Sequence, residues 1–211
     1  MADHNSGQEP WEGEYARRGH LWGGAVRALP QVPPGGCVLE LGCGNGKTSR
    51  ALLERGYDLV GIDLSASALR LCCSSVPNGT SGQFALADAC HLPFADAAFE
   101  AVIAFHVIGH LPAEDRVHAA QEASRVLRTG GILSFSGFST GDFRSGTGRR
   151  TEPGTVVRRN GIATHYFTED EVLALFGGLH PLGCTTQRWN LTVRGERFSR
   201  AEITAAFTKL S

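Results

Sequence analysis

Val38-Leu39-Glu40-Leu41-Gly42-Cys43-Gly44-Asn45-Gly46-Lys47 is the stretch that decides the fold. A short apolar run ends in three alternate glycines, and the residues after them, 47–55, carry helical spacing. A strand, a glycine turn and a helix in that order let backbone N–H groups and a helix N-terminus approach a ligand closely. Taken alone, a loop with two or three glycines is equally well an ordinary tight turn. Its context adds weight: a second apolar run at 58–62 ends on Asp63, about 21 residues after Gly42, where an acid can hydrogen-bond the two hydroxyls of a ribose.

The alternation continues along the chain. Apolar, β-rich runs recur at 37–41, 58–62, 83–87, 101–106 and 131–136, with helical spacing between them at 47–55, 66–73 and 114–127. That order predicts an α/β domain on a doubly wound, mostly parallel sheet with helices on both faces. Val38, Leu39 and Leu41, then Val102, Ile103 and Ala104, lack polar alternation, as strands covered on both sides do. Ser65, and Pro112 ahead of Glu114 and Asp115, supply helix starts.

The two ends depart from this rhythm. Trp11, Tyr15, Trp22, Val26 and Leu29 fall near helical spacing while Gly13, Gly19, Gly23 and Gly24 interrupt it, so 1–30 is expected to form short helices that fold over the crevice. From 139 to 164 the chain is rich in Gly, Thr and Arg without core periodicity, a loop of about 26 residues of the kind that is usually functional or disordered. The inserted segment as a whole, 139–167, is expected to be a mobile lid. Thr168 with Glu171 opens a last helix as a capping box, and 184–189 with 202–207 suggest a terminal antiparallel pair. The chain, 1–211, reads as one domain with its binding core at 37–138 and a helix and hairpin at 168–211.

Composition narrows the partner. With 27 glycines in 211 residues, about 13 % against roughly 7 % in ordinary proteins, the backbone must often turn sharply or approach something closely. Hydrophobic residues at 42 % and charged residues at 19 % exclude disorder, collagen-like repeats and coiled coil. Lys and Arg number 20 against 21 Asp and Glu, without the positive excess that nucleic-acid or anionic-membrane binding calls for, so the expected partner is a small molecule. The six cysteines form no C-x-x-C pair and sit mostly in apolar runs, which reads as reduced thiols, no metal and a cytoplasmic setting. Residues 1–10 hold no apolar leader segment, and no stretch approaches the ~20 apolar residues of a membrane span.

Spacing discriminates between nucleoside cofactors. The dinucleotide fingerprint G-x-G-x-x-G requires glycine at position 47, which is Lys. The glycines run 42, 44, 46 instead, and Glu40 stands two residues ahead of them, an anionic position that repels a pyrophosphate and can help hold an amino group.

These residues resemble the class I S-adenosylmethionine-dependent methyltransferases, in particular their small stand-alone members. Glu40-x-Gly42-x-Gly44-x-Gly46 is similar to that family's first motif, and Gly61-Ile62-Asp63-Leu64-Ser65 to its ribose-binding turn. Ala87-Asp88-Ala89 before Leu92-Pro93-Phe94 resembles the segment whose acid reads the adenine amine. Phe99-Glu100-Ala101-Val102-Ile103 resembles the fourth strand, and Arg125-Val126-Leu127-Arg128-x-Gly130-Gly131 the turn into the fifth. The resemblance implies a Rossmann-like seven-stranded sheet with an antiparallel C-terminal strand and S-adenosylmethionine as cofactor. It implies cofactor contacts at Tyr15, Trp22, Glu40, Gly42, Cys43, Gly44, Asn45, Gly46, Asp63, Leu64, Asp88, Ala89 and Phe105. An acid for the ribose, an acceptor for the adenine amine and backbone donors for the carboxylate are also what the chemistry of that cofactor asks for.

The acceptor is less legible. Displacement at a sulfonium carbon needs alignment and exclusion of water, and a general base only where the acceptor is protonated. The Asn-Pro-Pro-Tyr signature of certain nucleic-acid amino methylases is absent: Phe105-His106-Val107-Ile108-Gly109-His110 stands there. His106 and His110 are candidate bases, Arg144 a candidate grip for a carboxylate, and His165 and Tyr166 candidates to position or deprotonate an acceptor. Each has a structural alternative, as helix cap, core residue or solvated surface group. The expected activity is methyl transfer to a small-molecule O, N or S acceptor. A non-catalytic S-adenosylmethionine-binding regulator and an NAD-dependent oxidoreductase remain the alternatives.

Overall fold

The first strand, β1 (Cys37–Leu41), sends Leu39 and Leu41 into one core and Val38 into another, all three fully buried. The central strand β4 (Phe99–Phe105) repeats this, with Val102 and Ala104 on the first side and Ala101 and Ile103 on the second. Both faces are therefore dry, which explains the unbroken apolar runs. Fully burying a large aliphatic side chain contributes roughly 1.5–3 kcal/mol.

In the computed structural model the described residues are 8–19, 29–33, 35–77 and 79–210. Trp22 and Val26 lie outside them. The main sheet comprises β1, β2 (Asp58–Asp63), β3 (Gly82–Leu86), β4, β5 (Leu127–Phe138), β9 (His180–Val193) and β10 (Glu196–Thr208). Their order across the sheet is β3-β2-β1-β4-β5-β10-β9. β1 to β5 run parallel, and β10 is antiparallel to both β5 and β9. Helices α2 (Lys47–Leu53) and α4 (Ala113–Val126) cover opposite faces: Leu52 and Leu53 enter the smaller core, Ala119, Ala123 and Val126 the larger. Helices α1 (Gln8–Arg18), α3 (Ala66–Ser75) and α5 (Glu169–Leu175) complete the described set. Ser65 caps α3 by accepting from Ala68 N–H, and Thr168 with Glu171 forms the expected capping box on α5. Because β4 pairs with β1 rather than β3, the strand order reverses between β1 and β4, the place where open α/β sheets open a crevice at their carboxyl ends.

Three features differ from the sequence expectation. The fifth strand starts at Leu127 rather than 131: Leu127 pairs with Phe99, the chain bulges through Gly130 at φ 75°, and Ile132 resumes pairing with Ala101. The terminal hairpin is much longer than 184–189 and 202–207, because β9 is an edge strand exposed along most of its length and carries little apolar signal. The segment 139–167 is not an irregular loop. It folds into a second antiparallel sheet of β6 (Arg149–Glu152), β7 (Thr155–Val157) and β8 (Ala163–His165). Phe167 N–H donates to Phe138 O at 2.8 Å, and the Phe167 ring meets Phe135 edge-on at 5.3 Å, so this small sheet is stitched to the end of β5.

Candidate functional site

The parallel strands bring Gly42, Asp63, Asp88, His106 and Phe138 to one edge, because each stands at or just beyond the carboxyl end of its strand. The antiparallel β10 adds to the same edge from its early residues: Glu202 lies opposite Phe138 in the register, as Phe105 lies opposite Ser136.

At the β1 end, Gly42, Gly44 and Gly46 all take left-handed backbone angles, with φ of 66°, 56° and 82°. At Gly44 a Cβ would come within 2.5 Å of the Tyr15 hydroxyl, so only glycine lets this loop fit beneath α1. Gly44 N–H donates to Asp63 Oδ2 and Ser65 N–H to Asp63 Oδ1, each at 2.8 Å. Burial raises the Asp63 pKa, against the backbone donors of Ser65, Gly44 and Leu64 that favour its charge. Three backbone donors on a carboxylate with four lone pairs leave one for a further donor. Glu40 departs from the anionic reading: its carboxyl is buried, and burial drives its pKa well above the usual range although Ser49 Oγ donates to it at 2.6 Å. Asp88 accepts from Cys90 N–H at 2.8 Å, which fixes the turn after β3, while Ala89 is part of the main core. Phe105, the last residue of β4, packs partly buried against the smaller core, and Cys43 and Asn45 are buried within the loop.

Helix α1 crosses the crevice. Glu12 accepts from Ser65 Oγ at 2.7 Å, Ser67 N–H at 3.0 Å and Ser67 Oγ at 2.5 Å, placing a carboxylate on the positive end of α3. These bonds hold its pKa down at about 2. Tyr15 covers the glycine loop, and burial together with the nearby Asp63 charge raises its hydroxyl pKa. Trp11 reaches the far side and packs edge-on against His110 at 4.8 Å.

Beyond β4 the chemistry changes. His106 sits at φ 55°, a conformation that costs a non-glycine residue of order 1–3 kcal/mol. It is held there by its N–H on Ser136 O at 2.8 Å and by its ring on Phe138 at 4.6 Å. Its Nε2 lies 3.3 Å from Glu202 Oε1, and Ser136 Oγ donates to the same oxygen. Its Nδ1 is shielded from water and has no hydrogen-bond partner among the described residues. Burial alone would raise the Glu202 pKa, but His106, Ser136 and Arg200 outweigh it and hold it low.

The other sequence candidates are committed elsewhere. His110 Nδ1 must carry the proton, since it faces the carbonyl of Ala163 at 2.7 Å. Burial lowers its pKa from 6.5 to about 4, so it ties the post-β4 turn to β8 as a neutral ring. Arg144 does not reach out for a substrate anion. Its Nε bonds Asp142 Oδ1 at 2.8 Å while its guanidinium lies 4.1 Å over Phe138, and Arg200 Nε takes Asp142 Oδ2 at 2.6 Å. His165 is 3 % exposed and bonds Thr155 Oγ1 at 2.8 Å; that hydroxyl donates to Glu152, which is paired with Arg116. It belongs to the network that fastens the small sheet to α4, not to an open site. Tyr166 is 1 % exposed, and its hydroxyl accepts from Arg158 Nη2 at 2.9 Å. Glu12, Ser136, Arg200 and Glu202 escaped sequence reading. For Glu202 the available signal was a charged residue in the alternating run Ala201, Ile203, Ala205 and Phe207, whose apolar members are all buried. Among the described residues no group of three His, Cys, Asp or Glu side chains is placed to hold a metal, and no helix is long and apolar enough to cross a membrane.

Comparison with known proteins gives likenesses of sequence and of fold. A family model described as a methyltransferase domain matches residues 39–135. The chain is 35 % identical over 124 residues to 2-methyl-6-phytyl-1,4-hydroquinone methyltransferase of Synechocystis, covering 58 % of this chain and 37 % of that protein. It is 32 % identical over 114 residues to a tRNA (carboxymethyluridine(34)-5-O)-methyltransferase of Arabidopsis thaliana, covering 53 % of this chain and 26 % of that protein. The chain thus spans well under half the length of these relatives. Among solved structures, a crystal structure titled as a SAM-dependent methyltransferase from Methanosarcina mazei superposes with a TM-score of 0.71 at 24 % identity, covering 85 % of this chain and 95 % of that one, a likeness of fold.

Proposed function

The chain belongs to the class I S-adenosylmethionine-dependent methyltransferases, and from that premise we propose that it transfers the cofactor's methyl group to a small-molecule oxygen, nitrogen or sulfur acceptor held at the His106 end of the crevice. The observation that carries this reading is the convergence on one sheet edge of the Gly42, Gly44 and Gly46 loop with Asp63, and, beyond β4, of His106 with Glu202. The residues fit the cofactor: the left-handed loop offers close backbone approach, Asp63 keeps one acceptor site for a ribose hydroxyl, and Asp88 is oriented at the next strand end. When bound, S-adenosylmethionine supplies a methyl carbon already activated by its sulfonium. The chain's own part is alignment and exclusion of water. Helix α1 lies over the crevice with Trp11 on His110, and the His106 and Phe138 rings, inclined at 39° with the Arg144 guanidinium over Phe138, stand at the proposed acceptor end. Where the acceptor bears a proton, the partly exposed His106 ring is the candidate base, with Glu202 beside Nε2 stabilising the charge that results.

Calorimetry with S-adenosylmethionine, S-adenosylhomocysteine and NAD tests the reading. Tight binding of the first two is expected, and binding of NAD alone would overturn it. Asp63→Ala is expected to weaken S-adenosylmethionine binding by ~1.5–3 kcal/mol, the loss typical of hydrogen bonds to a charged group. Unchanged affinity would remove Asp63 from the site. A methyl-transfer screen over thiols, amines, phenols and carboxylates then identifies the acceptor, and finding none while the cofactor binds would favour a regulator.

A further inference from the structure

We propose that one face of the hairpin of β9 and β10 binds an apolar tail of the methyl acceptor, so that the acceptor is an amphiphile whose reacting end lies at His106. The proposal rests on the reading of the His106 end as the acceptor site. β5 stops at Phe138, opposite Glu202, while β9 and β10 go on pairing as far as Val193 with Glu196. The end of the hairpin is therefore a two-stranded ribbon that runs past its neighbour at the carboxyl edge of the sheet.

Opposite residues of an antiparallel pair share a face, and so do alternate residues of one strand. One face of the ribbon accordingly carries Trp189, Leu191 and Val193 with Phe198, and the other Arg188, Asn190, Thr192, Arg197 and Ser199. Such alternation belongs to strands with one side covered and the other wet. Yet here the apolar side is open. Trp189, Leu191, Val193 and Phe143, whose ring meets Phe198 at 4.8 Å, are between 36 % and 44 % exposed. They are four of the nine large hydrophobic side chains exposed among the described residues; the others belong to β3, α4, α5, the start of β9 and position 210.

Continuity and size choose the occupant. Glu202, 3.3 Å from His106, is followed on the same face of β10 by Arg200 and Phe198, so the strip begins at the acceptor end and reaches Phe198 about 13 Å further on. Ring contacts trace the same line: the Arg200 guanidinium lies 5.3 Å from the Phe138 ring and 5.5 Å from the Trp189 ring, and Phe138 meets His106 at 4.6 Å. Arg200 adds no free charge, since Asp142 holds its Nε at 2.6 Å. Four large side chains exposed to this degree present roughly 300 Å², against about 800 Å² per partner in a stable dimer. That is too little for a second copy of this chain and enough for one side of a hydrocarbon tail.

The test uses phenol, 4-propylphenol and 4-heptylphenol, titrated by NMR below their micelle concentrations into the full chain, with and without saturating S-adenosylhomocysteine. Affinity is expected to rise about twofold per methylene, half the gain of full burial because one side of the tail stays wet, with the His106 ring signal shifting throughout. Leu191→Thr combined with Val193→Thr keeps good strand formers in place and should flatten the series, while Val117→Ala, at an exposed apolar position on α4, should leave it intact. Affinity independent of chain length, a dependence that survives the double variant or is lost equally in Val117→Ala, or binding that leaves the His106 signal unmoved would each overturn the proposal. So would a wild-type dimer in sedimentation, or attachment to phosphatidylcholine vesicles, that the double variant abolishes; these would assign the strip to a second copy or to a lipid surface. If S-adenosylhomocysteine fails to bind the wild-type chain, the methyltransferase reading falls, while the phenol series without it still decides whether the strip takes an apolar tail.

Discussion

Glu40 is shut away from water at the end of β1, with Ser49 as its hydrogen-bond partner, and burial favours its protonated form. A cation arriving beside it reverses that preference. The ammonium and sulfonium of S-adenosylmethionine are such cations, so binding is expected to release a proton. Affinity should then rise with pH until the free protein's own Glu40 has ionised, and level off above that. Calorimetry at mildly acidic pH in two buffers of different ionisation enthalpy measures the release directly, and Glu40→Gln should abolish it; no net release from the wild type would refute the mechanism. The sequence made Glu40 conspicuous by its spacing, and Asp63 likewise, because both stand within a few residues of a glycine turn. It was silent on the charge state of Glu40, which depends on burial beneath α2 and not on any neighbour in the chain. His106 shows the same divide: its place after β4 was readable, but Glu202 comes to it across 96 positions through the register of β10 against β5.

Among the elements, the small sheet of β6, β7 and β8 was the least legible. Its strands are three or four residues long, the pairing of β6 slips between Arg150 and Glu152, and its buried members include Thr155, Thr164 and His165, so no hydrophobic period marks it. Its order comes from polar fastenings formed only in the folded chain. Asp142 is one, with its side chain fully buried and its oxygens taken by Arg144 and Arg200 together with the N–H groups of Arg144 and Ala201. Asp142→Asn leaves two guanidinium groups sharing a neutral amide, and breaking a buried pair in this way is expected to cost about 3–5 kcal/mol, read as a lower urea midpoint. A midpoint unchanged within error would show that the pair carries little stability. Burial alone would raise the Asp142 pKa, but Arg144 and Arg200 outweigh it and hold it below 3.8. Its stabilising contribution is therefore complete at neutral pH and is lost only as pH falls below that value and through its lowered one.

At the scale of the whole molecule, the central strands were readable because burial on both faces removes the need for polar alternation, a property that survives in sequence. The edge strand β9 and the bulge at Gly130 were not, since one faces water along most of its length and the other depends on pairing between distant strands. The same holds for α1. Its helical spacing was visible, but nothing local indicated that Glu12 would seat on Ser65 and Ser67, more than fifty residues away. That single carboxylate fastens one side of a helix whose Tyr15 covers the glycine loop and whose Trp11 rests on His110. The expected consequence is kinetic: a ligand beneath α1 should leave only as often as the carboxylate lets go of α3, which would set residence time and affinity by different residues. Stopped-flow displacement of S-adenosylhomocysteine should show Glu12→Ala releasing it several-fold faster and binding it several-fold faster, with the equilibrium constant little changed. Equal release rates would mean that the helix is no gate. If the gate holds, slow turnover in this chain would report the opening of a door, and a faster variant could be made without touching the chemistry behind it.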